Sequence, residues 1–247
     1  MSTALSLREL PWDSAFFGRR IARIEGGPVT AGVLRECLDE ARGKSLDCLH
    51  LACAADDKEG LLAAGECAFD PVDFRLRYET TASALASRER PPNDGPVAVR
   101  DATGEDEEAL RHLVVGLHAD TRFYYDRQIG GESADAFYQT WLSNSLKDFA
   151  DGVLVAEDER GLTGYLTWKL EEGRCVIGLI GTAESARGRG IGRLLMSSLG
   201  ERLPPGMTIS ALTQARNIPA LRFYQRSGFQ PCTAEFFFHK WLRVAAA

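Results

Sequence analysis

The stretch Arg187-Gly188-Arg189-Gly190-Ile191-Gly192 decides how this chain is read. Glycines at alternate positions leave backbone N–H groups free to converge on an anion, with no Cβ in the way. Ile191, Leu194, Leu195 and Leu199 then repeat at helical spacing, so a helix starts at the glycines and turns its positive end toward the same point. The segment before them, Cys175 to Thr182, is an apolar run of strand length. Strand, glycine loop and helix together make a cradle for a pyrophosphate. Two other phosphate loops are excluded by spelling. No Lys-Ser/Thr follows the glycines, and Arg193 stands where G-x-G-x-x-G needs its last glycine.

The 247 residues have room for one large or two modest domains, and a composition of 45% hydrophobic and 26% charged residues is that of a globular protein. A formal net charge of −6 argues against nucleic acid as a partner. From Arg187 to Arg243, however, nine Lys/Arg face two Asp/Glu, so the cradle half is electropositive and suits a small phosphorylated ligand. No apolar h-region follows Met1 and no run reaches membrane-span length, so neither a signal peptide nor a membrane partner is expected. Six cysteines form no C-x-x-C pair, which predicts buried free thiols in a cytoplasmic protein. The four histidines, at 50, 112, 118 and 239, show no metal-ligand spacing, and no metal is expected.

The charged, proline-rich stretch from Ser87 to Pro96 reads as a linker. Before it, the patterns predict strand 19–24, helix 31–42, strand 46–52, helix 58–64 and strand 74–79, a small α/β domain over residues 1–90. After it, over 97–243, come strand 97–100, a helix capped by Thr103, helix 134–146 and strands 152–157, 163–170 and 175–182. The cradle helix follows to about Leu203, then strand 207–213, helix 218–227 and strand 233–241.

This order resembles the GNAT superfamily of acyl-CoA-dependent N-acetyltransferases. Arg187 to Gly192 matches that family's Gln/Arg-x-x-Gly-x-Gly/Ala loop. The segment from Asn217 through Ala220, Phe223 and Tyr224 to Gly228 and Phe229 matches its second signature. The resemblance implies a mixed, splayed central sheet and acetyl-CoA as co-substrate. It implies that Arg187, Gly188, Arg189, Gly190, Ile191, Gly192 and Arg193 hold the pyrophosphate. The pantetheine arm would run along the backbone of Ile180, Gly181 and Thr182, and Asn217 would contact that arm. Tyr224 matches the tyrosine beside the thioester sulfur. A phenol with a pKa of ~10 can protonate a departing thiolate whose conjugate acid lies near ~8.5. No carboxylate stands between Cys175 and Thr182 to act as general base. Glu171 and Glu172 lie in the preceding turn, and an amine of low pKa needs no base.

A narrower likeness covers nearly the whole chain. Leu10, Pro11, Trp12, Asp13, Ser14, Phe16, Phe17 and Gly18, the segment Arg122 to Tyr125, the segment Phe137 to Leu142 and the ending Phe237 to Trp241 resemble the dTDP-fucosamine N-acetyltransferase family. That likeness implies a small-molecule acceptor, the amine of a nucleotide-linked aminodeoxy sugar. Arg122 could meet its phosphate, and Tyr124 and Tyr125 its rings; plain packing is the other reading of these aromatics. The Trp12–Gly18 cluster is expected to plug the N-terminal core. Rival readings are a GNAT acting on a peptide N-terminus, a polyamine or an antibiotic, and a non-catalytic acyl-CoA-binding module. A homodimer stays open.

Overall fold

The computed structural model describes residues 5–88 and 96–243, so residues 89–95 of the proline-rich stretch lie outside the described residues. In chain order the elements are β1 (Ser6–Glu9), α1 (Pro11–Phe17), β2 (Ile21–Glu25), α2 (Ala31–Gly43), β3 (Cys48–Ala54), α3 (Lys58–Glu66), β4 (Asp70–Thr81), α4 (Ala82–Ala86) and β5 (Ala98–Asp101). Then follow α5 (Glu107–Val114), α6 (Arg122–Tyr125), α7 (Gly131–Asn144), β6 (Gly152–Asp158), β7 (Gly161–Glu171), β8 (Arg174–Thr182), α8 (Ile191–Arg202), β9 (Thr208–Gln214), α9 (Ile218–Arg226) and β10 (Gln230–Trp241). Contacts divide this α/β chain into two units. The first is Met1–Leu76, Asp120–Ala134 and Thr233–Ala247; the second is Arg77–Ala119 and Asp135–Cys232.

In the first unit β1 pairs antiparallel with β2, β2 parallel with β3, and β3 antiparallel with β10. One face of this mixed sheet carries the apolar core. Leu34, Cys37, Leu38 and Ala41 recur at helical spacing on α2 and are all buried against Leu49, Leu51 and Cys53 of β3 and Ala63 and Ala64 of α3. Both helices start where the sequence supplies a cap: Thr30 accepts from the Val33 N–H, and Asp57 accepts from the Gly60 N–H at 2.9 Å. At the sheet's other side Phe17 and Trp241 pack on Leu10, Ile21 and Cys48; Phe17 is the member of the Trp12–Gly18 cluster in that group, and no residue of α1 is fully buried.

In the second unit β5, β6, β7 and β8 form an antiparallel run, and β8 pairs parallel with β9. α8 buries Ile191, Leu194, Leu195, Met196 and Leu199. Next to them Gly200 brings α8 close to α4: a Cβ there would stand 2.7 Å from the Ala82 carbonyl oxygen and 2.8 Å from the Ala86 nitrogen. The cap read at Thr103 is reciprocal in kind, since its backbone N–H donates to Asp106 Oδ2 at 2.8 Å. Arg100 clamps the same carboxylate through two nitrogens, at 2.8 and 2.9 Å, and holds its pKa down at about 2.

The elements read from the sequence are all present, with shifted ends. β1, α1, α4 and α6 are additions, each too short to show a period. All six cysteines are free, and Cys232 alone among them is exposed. Among the described residues no helix is long and apolar enough to cross a membrane. Two substitutions test the packing by urea unfolding. Gly200→Leu, forced against α4, lowers stability by about 1–3 kcal/mol. Gly65→Ala on α3, where a Cβ meets nothing within 4 Å, raises it by about 0.5–1 kcal/mol.

Candidate functional site

The second unit contains a cavity of about 540 Å³. Its floor begins with the glycine loop. Gly188 and Gly190 take φ of 80° and 78°, the left-handed region that a side chain disfavours, and Gly190 is the N-cap of α8. The first turn of a twelve-residue helix therefore points its free N–H groups from this loop. Gly192 is needed for packing, since a Cβ there would lie 2.9 Å from the Phe223 ring.

The second wall is the end of β8. Register pairs between β8 and β9 stop at Ile177 opposite Ala211, although β8 continues to Thr182 and β9 to Gln214. The strands part beyond that point. β8 keeps its other partner, β7, with Ile180 opposite Leu166, Gly181 opposite Tyr165 and Thr182 opposite Gly164. The β7–β8 register shifts between Leu166 and Trp168, and there the Thr167 hydroxyl accepts from the Leu179 N–H at 2.9 Å. Gly178 permits this, because a Cβ would stand 2.7 Å from that hydroxyl.

The third wall is α9, which starts at Asn217, whose side chain accepts from the Ala220 N–H at 3.0 Å. Tyr224 on this helix is 4% exposed and stacks on Tyr78 at 5.7 Å, while Phe229 meets it edge-on at 5.2 Å. Burial pushes its phenol well above the usual range, so the proton stays on at neutral pH.

The cavity is lined by Ile180, Gly181, Thr182, Arg187, Gly188, Gly190, Ile191, Gly192, Arg193 and Tyr224, all singled out from the sequence. Arg189 turns elsewhere, to Asp158 at 2.8 Å, and Asn217 is occupied with its cap. Arg122, Tyr124 and Tyr125 form α6 and belong to the first unit; Tyr125 is 54% exposed. The sequence reading did not pick out Leu117, Arg222 or Arg226, which also line the cavity. The two arginines lie four apart on α9, a spacing that puts them on one side of the helix and explains where part of the local positive charge goes. It also missed the pair behind Gly181. There His118 Nε2 and the Tyr165 hydroxyl are 2.7 Å apart, and a Gly181 Cβ would lie 2.8 Å from the Tyr165 ring. Burial pulls the His118 imidazole down to about 4, so it is neutral at pH 7.

Residues 150–231 match the acetyltransferase (GNAT) domain family. Over 138 residues the chain is 27% identical to "Spore coat polysaccharide biosynthesis protein SpsD" of Bacillus subtilis (strain 168); the match takes in 55% of this chain and 48% of that protein. The chain thus spans about half the length of this curated relative. Among solved structures, a functionally unknown conserved protein from Staphylococcus epidermidis ATCC 12228 superposes with a TM-score of 0.75 at 16% identity, covering 98% of this chain and 92% of that one. A GCN5-related N-acetyltransferase from Sphaerobacter thermophilus gives 0.64 at 16% identity, covering 98% and 78%. The fold is that of the GNAT proteins, and a GNAT domain occupies 150–231.

Two outcomes follow from this geometry. Gly190→Val places a branched side chain at a φ of 78°, a conformation it disfavours, and lowers stability in urea unfolding by about 1–3 kcal/mol. The second concerns pH. In the unfolded chain His118 titrates near ~6.5, so below that pH the unfolded state binds a proton that the folded state refuses until about 4. Stability therefore falls as pH drops from ~6.5 to ~4, and His118→Asn makes that fall shallower in thermal melts.

Proposed function

We propose that this protein transfers the acetyl group of acetyl-CoA to a primary amine, that of a nucleotide-linked aminodeoxy sugar. One observation carries the reading. The glycine loop, the backbone of Ile180 to Thr182 beyond the last β8–β9 pair, and the Tyr224 side chain all line the same cavity. A pyrophosphate, a peptide-like arm and a thioester need those three features in that order. The loop N–H groups with Arg187 and Arg193 hold the pyrophosphate, and the arm hydrogen-bonds along β8.

The amine nitrogen attacks the thioester carbonyl, the C–S bond breaks, and Tyr224 gives its proton to the departing sulfur. The nitrogen loses a proton in the same exchange. Burial that raises the phenol's pKa raises that of a thiol in the same cavity as well, as it does for the buried thiol of Cys175, pushed up to about 12. The transfer thus need not run uphill. Among the described residues no carboxylate side chain lines the cavity, so the acceptor's own low pKa or a water supplies the base.

The acceptor class is supported by two things. The SpsD relative is named for polysaccharide biosynthesis, and the first unit carries Arg122 beside aromatic side chains, with its guanidinium 4.2 Å over the Phe123 ring and 4.7 Å over that of Phe237.

Tyr224→Phe keeps the ring and removes the proton. Turnover should fall roughly 10²–10⁴-fold with acetyl-CoA affinity little changed, and near-full kcat would demote the tyrosine to packing. With a panel of amines, a dTDP-linked 4-amino sugar should be acetylated far faster than the free amino sugar, because nucleotide contacts position the amine. Arg122→Ala should erase most of that preference. Equal rates on the two sugars, or activity on peptides alone, would reject the acceptor class and leave acetyl transfer in place.

A further inference from the structure

The sheet of the first unit has an apolar face under α2 and α3, and a second face where charged side chains lie beside the small apolar group of Leu10, Ile21 and Cys48. Strand register sets three polar residues of that second face in one row: Arg23 of β2 is opposite His50 of β3, and His50 is opposite His239 of β10. Arg75 of β4 joins them, with its guanidinium 4.2 Å over the Phe237 ring, the same ring that Arg122 approaches to 4.7 Å. His50 is 1% exposed and His239 is 0% exposed, and their rings stack at 4.1 Å.

Several atoms of this row are buried without a hydrogen-bond partner among the described residues: Arg23 Nε, Arg75 Nε, His50 Nδ1 and His239 Nε2. An arginine Nε–H can only donate, so what is missing at two of these positions is an acceptor. Leaving buried donors unmet is costly, because their hydration is lost with nothing in its place. The carboxylates nearby do not fill the gap. Asp126 takes the His239 Nδ1 at 2.5 Å and the Trp241 N–H at 2.8 Å, and Glu235 takes Arg75 Nη2 at 2.7 Å. Asp13 is pushed up by burial, against the pull of Arg122 and Arg23. Asp73, 3% exposed, lies close enough to Arg75 to stabilise its charge. At His50 burial lowers the pKa, and His239, Arg122, Arg23 and Arg75 act in the same direction, whereas Asp126 acts the other way at His239.

A metal ion fits less well. Cys48, His50 and His239 bring one ligand atom each within 4.8 Å of the others. The two imidazoles, however, are nearly parallel at 13°, so their in-plane lone pairs do not converge, and three guanidiniums stand beside them.

We propose that the charged face of the first unit, built from Arg23, Arg75 and Arg122 with His50 and His239, binds a phosphoryl anion. The carrier is the diphosphate of a nucleoside-diphosphate acceptor; that part alone rests on the function proposed above. Arg75 and Arg122 lie over the Phe237 ring, at 4.2 and 4.7 Å, so their guanidinium planes are held in place before a ligand arrives.

The test uses the full chain with saturating coenzyme A, which occupies the glycine loop, and titrates it calorimetrically with pyrophosphate and with dTDP. Both should bind, dTDP more tightly. Arg23→Gln and Arg75→Gln should each weaken binding at least tenfold, whereas Arg42→Gln, an exposed arginine on α2, should not. Should Arg75→Gln fail to fold by circular dichroism, Arg23→Gln, on a half-buried side chain, decides. No binding of either ligand at millimolar concentration, or unchanged binding to folded Arg23→Gln, overturns the site and leaves ordered water as the partner of those donors. Pyrophosphate binding no weaker than that of dTDP keeps the site and removes the nucleotide. Acetyl transfer to any amine, assayed on the same protein, reports separately on the cavity of the second unit.

Discussion

Everything in the cavity depends on one broken partnership. β8 and β9 are parallel neighbours for three residue pairs and then separate, so the backbone from Gly178 to Thr182 has β7 on one side and no paired strand on the other. Unpaired backbone inside a protein is costly unless something else meets its N–H and C=O groups. Here the cost is partly offset on the β7 side, where the shifted register lets the Thr167 hydroxyl take the Leu179 N–H. The remaining edge is a row of donors and acceptors at the side of a cavity, the arrangement by which an extended, amide-bearing ligand is bound as an extra strand.

The glycines of β7 and β8 serve that opening. A Cβ at Gly164 would lie 2.8 Å from Ile191 and 2.9 Å from the Gly181 carbonyl oxygen, and a Cβ at Gly181 would lie 2.9 Å from Leu117. β7, β8, the start of α8 and the segment after α5 are thus packed at backbone distance. Glycine weakens a strand through its lost entropy and missing side chain. Two such residues side by side make sense where close approach fixes the position of a ligand-binding edge.

Local signals made the second unit legible. The glycine loop and the i, i+3, i+4 pattern that follows it place β8, the loop and α8 almost to the residue, because turn chemistry and helical period are properties of neighbouring residues. Asn217, followed by Pro219, caps α9 in the structure, a local role that the sequence analysis did not read from it. What stayed hidden is long-range. His118 and Tyr165 are 47 residues apart, and His239 and Asp126 are 113 apart. Only strand pairing joins Arg23, His50 and His239 into a row, and no spacing rule on a single sequence encodes it. The histidines looked uninformative because their partners lie on other strands. The same holds for α6, four residues long and without a period, whose aromatics meet others only through the fold.

Charge follows the same division into local and distant. The net −6 of the whole chain hides two concentrations of arginine, and the two are held differently. Around the cavity, Arg222 and Arg226 are exposed and Arg187 is paired only loosely, at 3.8 Å, with Glu184, so this charge is mobile, screened by salt and available to a soluble polyphosphate. On the first unit's charged face, Arg75 and Arg122 lie against Phe237, with Asp13, Asp73, Asp126 and Glu235 around them. Guanidiniums fixed in this way lose little further entropy when they meet a ligand, and in a low-dielectric setting each contact is stronger than at an open surface. The exposed set favours rapid capture of a highly charged molecule. The fixed set favours discrimination by shape.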